Sequence, residues 1–127
     1  MNIIVKKSKI HGRGVFANKD FKKNEIVIKW DISHLISRNE FENLKSKDKR
    51  YVSYFKNGKY ILHKAPEKYV NHSCNANTKT KNNADVALRN IKKGEEITAN
   101  YLKEKVPGLK MKCNCGSKNC IKMLKSD

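Results

Sequence analysis

The chain has 127 residues, a mass of 14.7 kDa and 38% hydrophobic residues, which suffices for one domain with a modest core and excludes two. Its apolar runs are far shorter than the ~18 residues of a membrane span, and no signal-peptide pattern follows the charged start, so we expect a soluble protein without a targeting signal. Lysine and arginine number 29 against 12 acidic residues, a net charge of +17 that attracts nucleic acid or another polyanion.

The charge by itself assigns no function. Only four of the cations are arginine, whereas bidentate reading of base edges favours arginine over lysine. A compositional bias of the source genome would produce the same excess of lysine.

The first 30 residues carry short runs of strand-forming residues. Ile3–Val5, Gly14–Ala17 and Ile26–Ile28 are each bounded by Gly, Asn, Asp or Lys-rich turns. This part of the chain is therefore predicted to form short β-strands.

A helix and a hairpin are predicted next. Across Ser33–Lys47 the apolar residues fall nearer to a helical period, and Ser37 with Glu40 matches a capping box, so we expect one short helix there. Within Tyr51–Leu62, the pair Asn57-Gly58 separates two β-rich runs, which predicts a hairpin with a type I′ turn.

Two later runs, Val86–Leu88 and Ile97–Tyr101, are predicted to be strands. After Pro107-Gly108 the chain becomes rich in Lys and Cys, with little apolar content from Lys110 to Asp127. Because such a tail cannot form a core of its own, something else must order it.

The four cysteines explain how the tail is ordered. Cys113, Cys115 and Cys120 form C-x-C-x4-C, and Cys74 lies well upstream. Four cysteines suit one tetrahedral zinc site, which would join Cys74 to the tail because zinc binding energy becomes folding energy. Two disulfides, which a reducing compartment disfavours, and free structural thiols are the alternatives.

Several motifs, in order along nearly the whole chain, resemble those of SET-domain protein-lysine methyltransferases with a post-SET zinc motif. Gly12–Ala17 is similar to the N-terminal G-x-G segment, and Glu25–Trp30 to the strand that follows it. Asn71–Asn77 resembles N-H-S-C-x-P-N, Gly94–Tyr101 resembles G-E-E-L-T-x-D-Y, and Cys113–Cys120 resembles the post-SET motif. The G-x-G alone is weak, whereas the last three together are highly specific.

The resemblance implies a mostly β SET (β-clip) fold of small sheets with one or two short helices. In it the Asn71 segment and the segment ending at Tyr101 pass through one another in a pseudoknot. It implies a SET domain over residues 1–107 and a zinc-ordered post-SET tail over residues 108–127. S-adenosylmethionine would bind on one face, and the substrate lysine would enter a narrow channel from the opposite face.

The expected catalytic residues are Tyr101, which closes its motif, and Tyr51, which resembles the tyrosine that the family donates to the channel. A register slip would exchange Tyr51 for Tyr54. Trp30 and Ala99 are expected to line the substrate channel. Ala99 stands where the family usually has Phe or Tyr, so dimethylation or trimethylation is expected to be sterically allowed.

The cofactor contacts implied by the resemblance fall on Arg13, Gly14, Val15, Asn71, His72 and Leu124. Glycine at position 14 lets the main chain approach a ligand closely. The metal ligands are expected to be Cys74, Cys113, Cys115 and Cys120. His11, His34 and His63 are interpreted as structural.

The sequence thus predicts lysine methylation with S-adenosylmethionine and Zn²⁺. The expected substrate is a histone, on nucleosomes, or another basic nucleic-acid-associated protein. Location would be nuclear in a eukaryotic or viral setting and cytoplasmic in a bacterial one, with no membrane partner. Two alternatives stay open: a catalytically silent SET-like binding protein, suggested by Ala99 and Asn100, and a basic zinc-stabilised nucleic-acid-binding module.

Overall fold

The computed structural model describes residues 2–103 and 110–125; the expected boundary at residues 107 and 108 lies outside them. The strands are β1 (Ile3–Lys7), β2 (Arg13–Ala17), β3 (Ile26–Lys29), β4 (Leu35–Ser37), β5 (Val52–Lys56), β6 (Lys59–Leu62), β7 (Asn71–His72), β8 (Thr78–Thr80), β9 (Ala84–Ala87), β10 (Glu96–Ala99), β11 (Lys110–Lys112) and β12 (Met123–Lys125). Two short helices, α1 (Arg38–Glu42) and α2 (Ser46–Lys49), and a 3-10 turn at Glu67–Tyr69 complete the fold. The expected mostly β fold of small sheets is confirmed.

The largest sheet brings the two central motifs together. Its strand order is β1-β2-β10-β7, and β7 runs parallel to β10, with Asn71 opposite Thr98 and His72 opposite Ala99. The smaller sheets have the orders β3-β9-β8, β4-β6-β5 and β11-β12. The threading of one segment through the other stays a prediction.

The helix predicted across residues 33–47 is shorter and divided. Leu35–Ser37 instead forms β4, because Leu35 and Ile36 pair with Ile61 and Tyr60 of β6. The capping box is confirmed: the Ser37 hydroxyl accepts a hydrogen bond from Glu40 N–H at 3.1 Å, and the Glu40 carboxylate accepts one from Ser37 N–H at 3.2 Å. Pairing with β6 therefore makes Leu35–Ser37 a strand, although its apolar residues follow a helical period.

The predicted hairpin is confirmed. Asn57 and Gly58 have φ of 53° and 74°, both positive as a type I′ turn requires. The register sets Ser53 opposite Ile61. Both later strands begin and end earlier than predicted, since β9 covers Ala84–Ala87 and β10 covers Glu96–Ala99, so Leu88 and Tyr101 lie outside them.

The main core lies between β2, β3, β9 and β10. Val15, Ile91 and Ile97 are fully buried in it, and burying each such side chain contributes about 1.5–3 kcal/mol. A second cluster packs Tyr101 against Cys113 and Leu124 of the tail. Among the described residues, no helix has the length and apolar character to cross a bilayer.

Candidate active site

Tyr101 lies two residues after the end of β10 and is buried, with 6% of its surface exposed. Its hydroxyl donates a hydrogen bond to the Val70 carbonyl oxygen at 2.5 Å. Its backbone N–H donates to Nδ1 of His72 at 3.0 Å, and the two rings pack edge to face with centroids 5.4 Å apart. The parallel pairing of β7 with β10 explains this contact, because it brings the ends of the two motifs side by side.

Tyr101 borders a narrow pocket, with a cavity volume of about 30 Å³, which we name the tyrosine pocket. Its lining includes Trp30, Tyr51, Ser53, His63, Glu67 and Tyr101. Tyr54 is 42% exposed and packs edge to face on Tyr60. The structure therefore places Tyr51 in the pocket and Tyr54 outside it.

Charged groups of both signs line the tyrosine pocket. Trp30 Nε1 donates to the buried Asp85 carboxylate at 3.1 Å, which fixes the indole ring. Arg50 and Lys68, also in the lining, lie over the Tyr51 ring, with Cζ and Nζ at 5.7 and 4.9 Å from its centroid. A cation that enters the pocket therefore meets two cations beside Tyr51.

A hydrogen-bonded series forms one part of the same lining. The Ser53 hydroxyl lies 2.8 Å from His63 Nε2, and His63 Nδ1 lies 2.5 Å from Glu67 Oε2. The other Glu67 oxygen accepts a hydrogen bond from the Asp31 N–H at 2.8 Å. The His63 ring packs edge to face on Trp30, with centroids 4.6 Å apart.

A second small pocket, which we name the tail pocket, lies against the C-terminal segment and has a cavity volume of about 20 Å³. Its lining includes His11, Arg50, Asn71, His72, Met111 and Cys113. Arg50 lines both pockets. The hydrogen bond from the Tyr101 backbone N–H to His72 also connects the two pockets.

Arg50 is held by one hydrogen bond and retains an unused donor. Its Nη1 donates to His11 Nε2 at 3.0 Å; burial and the Arg50 charge lower the pKa of His11, so the ring stays an acceptor. Arg50 Nε is buried and has no hydrogen-bond partner among the described residues. Because a buried donor without a partner is costly, this atom suits a ligand that brings an acceptor such as a carboxylate.

His72 is a neutral ring that supports the Tyr101 backbone. It is 3% exposed, and burial lowers its pKa to about 4. Since Nδ1 accepts from Tyr101, the proton of the neutral ring lies on Nε2, 3.4 Å from the Cys74 sulfur. His72 thus connects the tyrosine to the cysteine cluster.

Two of the expected cofactor residues line the tail pocket, and the others do not. Asn71 and His72 line it, and the Asn71 amide nitrogen donates to the His11 and Arg13 carbonyls and to Glu96. The remaining expected contacts do not line it: Arg13, Gly14, Val15 and Leu124. Val15 and Leu124 are both 0% exposed, so they support the pocket from within the core.

Gly14 is required for a reason that the sequence did not suggest. A Cβ at this position would lie 2.4 Å from Oε2 of Glu96 and 2.9 Å from Cβ of Ser8. The Glu96 carboxylate is itself held by the Ser8 hydroxyl at 2.7 Å and by Asn71 at 2.9 Å. The missing side chain therefore makes room for a half-buried carboxylate.

The four cysteines meet in one cluster. All four are free thiols, and their sulfur atoms lie within 4.8 Å of one another. The Cys74 and Cys113 sulfurs are 3.8 Å apart, which matches the spacing of about 3.8 Å between ligands of tetrahedral zinc with Zn–S bonds of about 2.3 Å. The donor set therefore fits zinc, and the two-disulfide alternative is absent from the structure.

Hydrogen bonding prepares one thiol of the cluster to ionise. Burial raises the pKa of the Cys74 and Cys113 thiols. Burial acts in the same direction on Cys115, but hydrogen bonds with Ser117 and the backbone outweigh it and lower the pKa to about 5. Because thiolates are the metal-binding form, the hydrogen bonds to Cys115 favour metal binding by the cluster.

The two expected channel residues lie in different surroundings. Trp30 is buried and lines the tyrosine pocket. Ala99 is 1% exposed, packs in the main core and does not line that pocket. Core side chains thus surround Ala99.

Sequence reasoning missed Arg50 and the series Ser53, His63 and Glu67. His63 was interpreted as structural, yet it lines the tyrosine pocket. The only sequence signal was the spacing of four residues between His63 and Glu67, which is common and not specific. Their meeting depends on the β5–β6 register, which the motifs do not encode.

Comparisons with known proteins agree with the motifs. A family model described as SET domain matches residues 12–102. Histone-lysine N-methyltransferase 2D of Homo sapiens is 32% identical to the chain over 146 residues, covering 97% of the chain and 2% of that protein. Histone-lysine N-methyltransferase trithorax of Drosophila virilis is 33% identical, covering 93% and 3%.

A yeast relative is also similar. Histone-lysine N-methyltransferase, H3 lysine-36 specific, of Saccharomyces cerevisiae is 31% identical to the chain, covering 96% of the chain and 19% of that protein. The chain thus spans a small part of the length of each relative.

Proposed function

The chain belongs to the SET-domain family, since the family model matches most of its length, and we propose that it is an S-adenosylmethionine-dependent protein-lysine N-methyltransferase. The observation that carries this proposal is the junction of the two pockets. Arg50 lines both, and Tyr101 of the tyrosine pocket donates its backbone N–H to His72 of the tail pocket. A methyl donor and an acceptor bound in these pockets would meet beside Tyr101.

The methyl donor is assigned to the tail pocket. Asn71 and His72 would hold it, supported by Arg13, Gly14, Val15 and Leu124. S-adenosylmethionine supplies an electrophilic methyl group on a sulfonium. Its carboxylate could accept a hydrogen bond from the buried Arg50 Nε, which has no partner among the described residues. The position of Met111 and Cys113 in the lining makes the tail part of this site.

The substrate lysine is assigned to the tyrosine pocket. Tyr101 and Tyr51 are the proposed catalytic residues, and Trp30 and Ala99 are proposed to shape the channel, Trp30 directly and Ala99 from the core behind it. The buried hydroxyl of Tyr101, held on the Val70 carbonyl at 2.5 Å, provides a fixed group beside the reacting centre. Fixed groups of this kind lower a barrier by proximity and by preorganised electrostatics.

The pocket must also hold the amine neutral. A free lysine has a pKa of about 10.4, so at pH 7 only about one amine in 10³ is neutral, which corresponds to about 4–5 kcal/mol. Desolvation and nearby cations both lower the pKa of an ammonium group. Arg50 and Lys68, which lie over Tyr51, would supply the like charge, and Trp30 would supply the apolar wall.

Zinc is proposed to bind Cys74, Cys113, Cys115 and Cys120. It would order the tail against Tyr101, because Cys113 and Leu124 pack on that side chain. The division into a SET domain over residues 1–107 and a post-SET tail over residues 108–127 follows from this role.

A histone or another basic nucleic-acid-associated protein is the proposed substrate, and the proposed place of action is chromatin. The relatives named above are histone-lysine methyltransferases by name. A chain of net charge +17 repels an isolated basic tail and gains affinity from DNA beside it. Nucleosomes should therefore be methylated faster than free histones, increasingly so at low salt.

Dimethylation or trimethylation is proposed to be allowed. Ala99, two residues before Tyr101, has no bulky ring that could reach from the main core into the channel and restrict methyl groups. Product analysis that finds only monomethyl-lysine, even at long times and high enzyme concentration, would contradict this part of the proposal.

The test is transfer of labelled methyl groups from S-adenosylmethionine to core histones, nucleosomes and a whole-cell lysate, with modified residues located by mass spectrometry. Label on lysine that is lost with Tyr101→Phe would support the proposal. Cofactor binding without any transfer would favour the silent SET-like binding protein. Nucleic-acid binding without cofactor binding would favour the zinc-stabilised module.

A further inference from the structure

In the hydrogen-bonded series of Ser53, His63 and Glu67, the outer two residues are buried and His63 is half-buried, and none of the three has a role in the function proposed so far. Ser53 is 2% exposed and Glu67 is 7% exposed. The hairpin register holds the first contact, because Ser53 of β5 lies opposite Ile61, two residues before His63. The second contact is held by the 3-10 turn that begins at Glu67.

The hydrogen bonds determine the direction in which the series can move a proton. An ionised carboxylate only accepts, so His63 Nδ1 carries a proton that it donates to Glu67. In the neutral ring, Nε2 is then the acceptor for the Ser53 hydroxyl. The Asp31 N–H on the other Glu67 oxygen and the Trp30 ring against His63 hold this arrangement.

We propose that Ser53, His63 and Glu67 form a relay that accepts the proton lost by the substrate lysine, an inference that rests on the proposed methyl transfer. The ammonium gives one proton to the Ser53 oxygen while the Ser53 hydroxyl proton passes to His63 Nε2. The neutral amine nitrogen then bonds to the methyl carbon as the bond from that carbon to the sulfonium sulfur breaks, leaving a neutral thioether. His63, now an imidazolium beside the Glu67 carboxylate, releases its proton to solvent.

The surroundings of His63 favour this direction of transfer. Six charged or titratable groups share the pocket with it: Arg50, Tyr51, Glu67, Lys68, Asp85 and Tyr101. Glu67 is hydrogen-bonded to the ring and stabilises its cationic form. Asp85 accepts a hydrogen bond from Trp30, and Arg50 and Lys68, over the Tyr51 ring, repel a cation on the substrate amine.

The test is a pH profile of single-turnover methyl transfer to core histones by wild type, His63→Gln and Ser53→Ala. The expected defect is about 10²-fold at pH 7, the size of a typical general-base contribution. At pH 9.5 the variant rates should be within about threefold of the wild-type rate, because roughly a tenth of free lysine amines are already neutral at that pH. His34→Gln, which alters an exposed histidine away from the pocket, should match wild type at every pH.

A structural role for the series predicts a different result. If both variants lose activity by the same factor at all pH values, or lose cofactor binding, the relay is wrong while the methyltransferase assignment stands. If the wild type transfers no methyl group, the relay falls together with the proposed function.

NMR spectroscopy tests which nitrogen of His63 carries the proton before the reaction, independently of activity. At pH 9, imidazole ¹⁵N shifts should show His63 protonated on Nδ1 only, and Glu67→Gln should shift the Nδ1–H signal. A His63 ring protonated on Nε2 would overturn the relay, because Nε2 could not then accept the proton of Ser53.

Discussion

The backbone N–H of Tyr101 donates a 3.0 Å hydrogen bond to Nδ1 of His72. This bond joins residues that are 29 positions apart in sequence and belong to two different motifs, Asn71–Asn77 and Gly94–Tyr101. It connects the tyrosine pocket to the tail pocket, and through His72 Nε2 it reaches the Cys74 sulfur at 3.4 Å. The tyrosine pocket, the tail pocket and the cysteine cluster are therefore connected through this one pair of residues.

Tyr101→Phe should abolish most activity with a small loss of stability. Methyl transfer should fall by about 10²-fold or more, in the range seen when one preorganised polar group is removed from an active site. The buried Val70 carbonyl loses its donor, which should lower the free energy of unfolding by about 1 kcal/mol. Single-turnover transfer and denaturant unfolding would measure the two effects.

Tyr54→Phe is the matched control, because that ring is 42% exposed and lies outside the pocket. Its activity should equal that of wild type. Equal activity of Tyr101→Phe and wild type would contradict the catalytic assignment of Tyr101.

Removing zinc should release the tail and cofactor binding together. Cys113 lines the tail pocket and packs on Tyr101, so loss of the metal opens both sites. We expect one zinc per chain by elemental analysis, loss of S-adenosylmethionine binding in calorimetry after chelation, and recovery when zinc is returned. Cys120→Ser should reproduce the chelated state. Full cofactor binding by a zinc-free chain would contradict the proposed role of the tail.

Gly14→Ala should destabilise the protein through Glu96. The added Cβ would lie 2.4 Å from Oε2 of Glu96, which displaces a carboxylate held by Ser8 and Asn71. We expect a loss of about 1–3 kcal/mol in the free energy of unfolding, as for other overpacked sites.

A double-mutant cycle tests whether Glu96 is the cause. In a Glu96→Ala background, Gly14→Ala should cost at least about 1 kcal/mol less than in wild type. An equal cost in both backgrounds would place the strain elsewhere.

His72 should remain neutral across the physiological range. Burial lowers its pKa to about 4, whereas the unfolded ring takes up a proton near pH 6.5. Because the unfolded state then binds more protons, stability should fall as pH drops from 6.5 toward 4. An NMR titration of the His72 ring, assigned with His72→Gln, should show no protonation between pH 8 and 5.5. A ring that titrates near pH 6.5 would contradict the buried, neutral role.

Local features of the fold were predictable from the sequence. The Ser37–Glu40 capping box and the Asn57-Gly58 turn are local, so neighbouring residues specify them, and both are confirmed. The spacing of Cys113, Cys115 and Cys120 with Cys74 indicated one shared metal cluster, which the sulfur positions match. By contrast, Leu35–Ser37 was misjudged because its strand depends on pairing with β6.

The sequence by itself determined the family and the order of its motifs, because these depend on residue types at short spacing. Only the tertiary structure decided that Tyr51 rather than Tyr54 lines the pocket, that Gly14 makes room for Glu96, and that Arg50 borders both pockets. It also brought Ser53 and His63 together across a hairpin. These contacts are set by strand register and by packing between distant segments, and a one-residue shift in register would turn the same side chains to the opposite face.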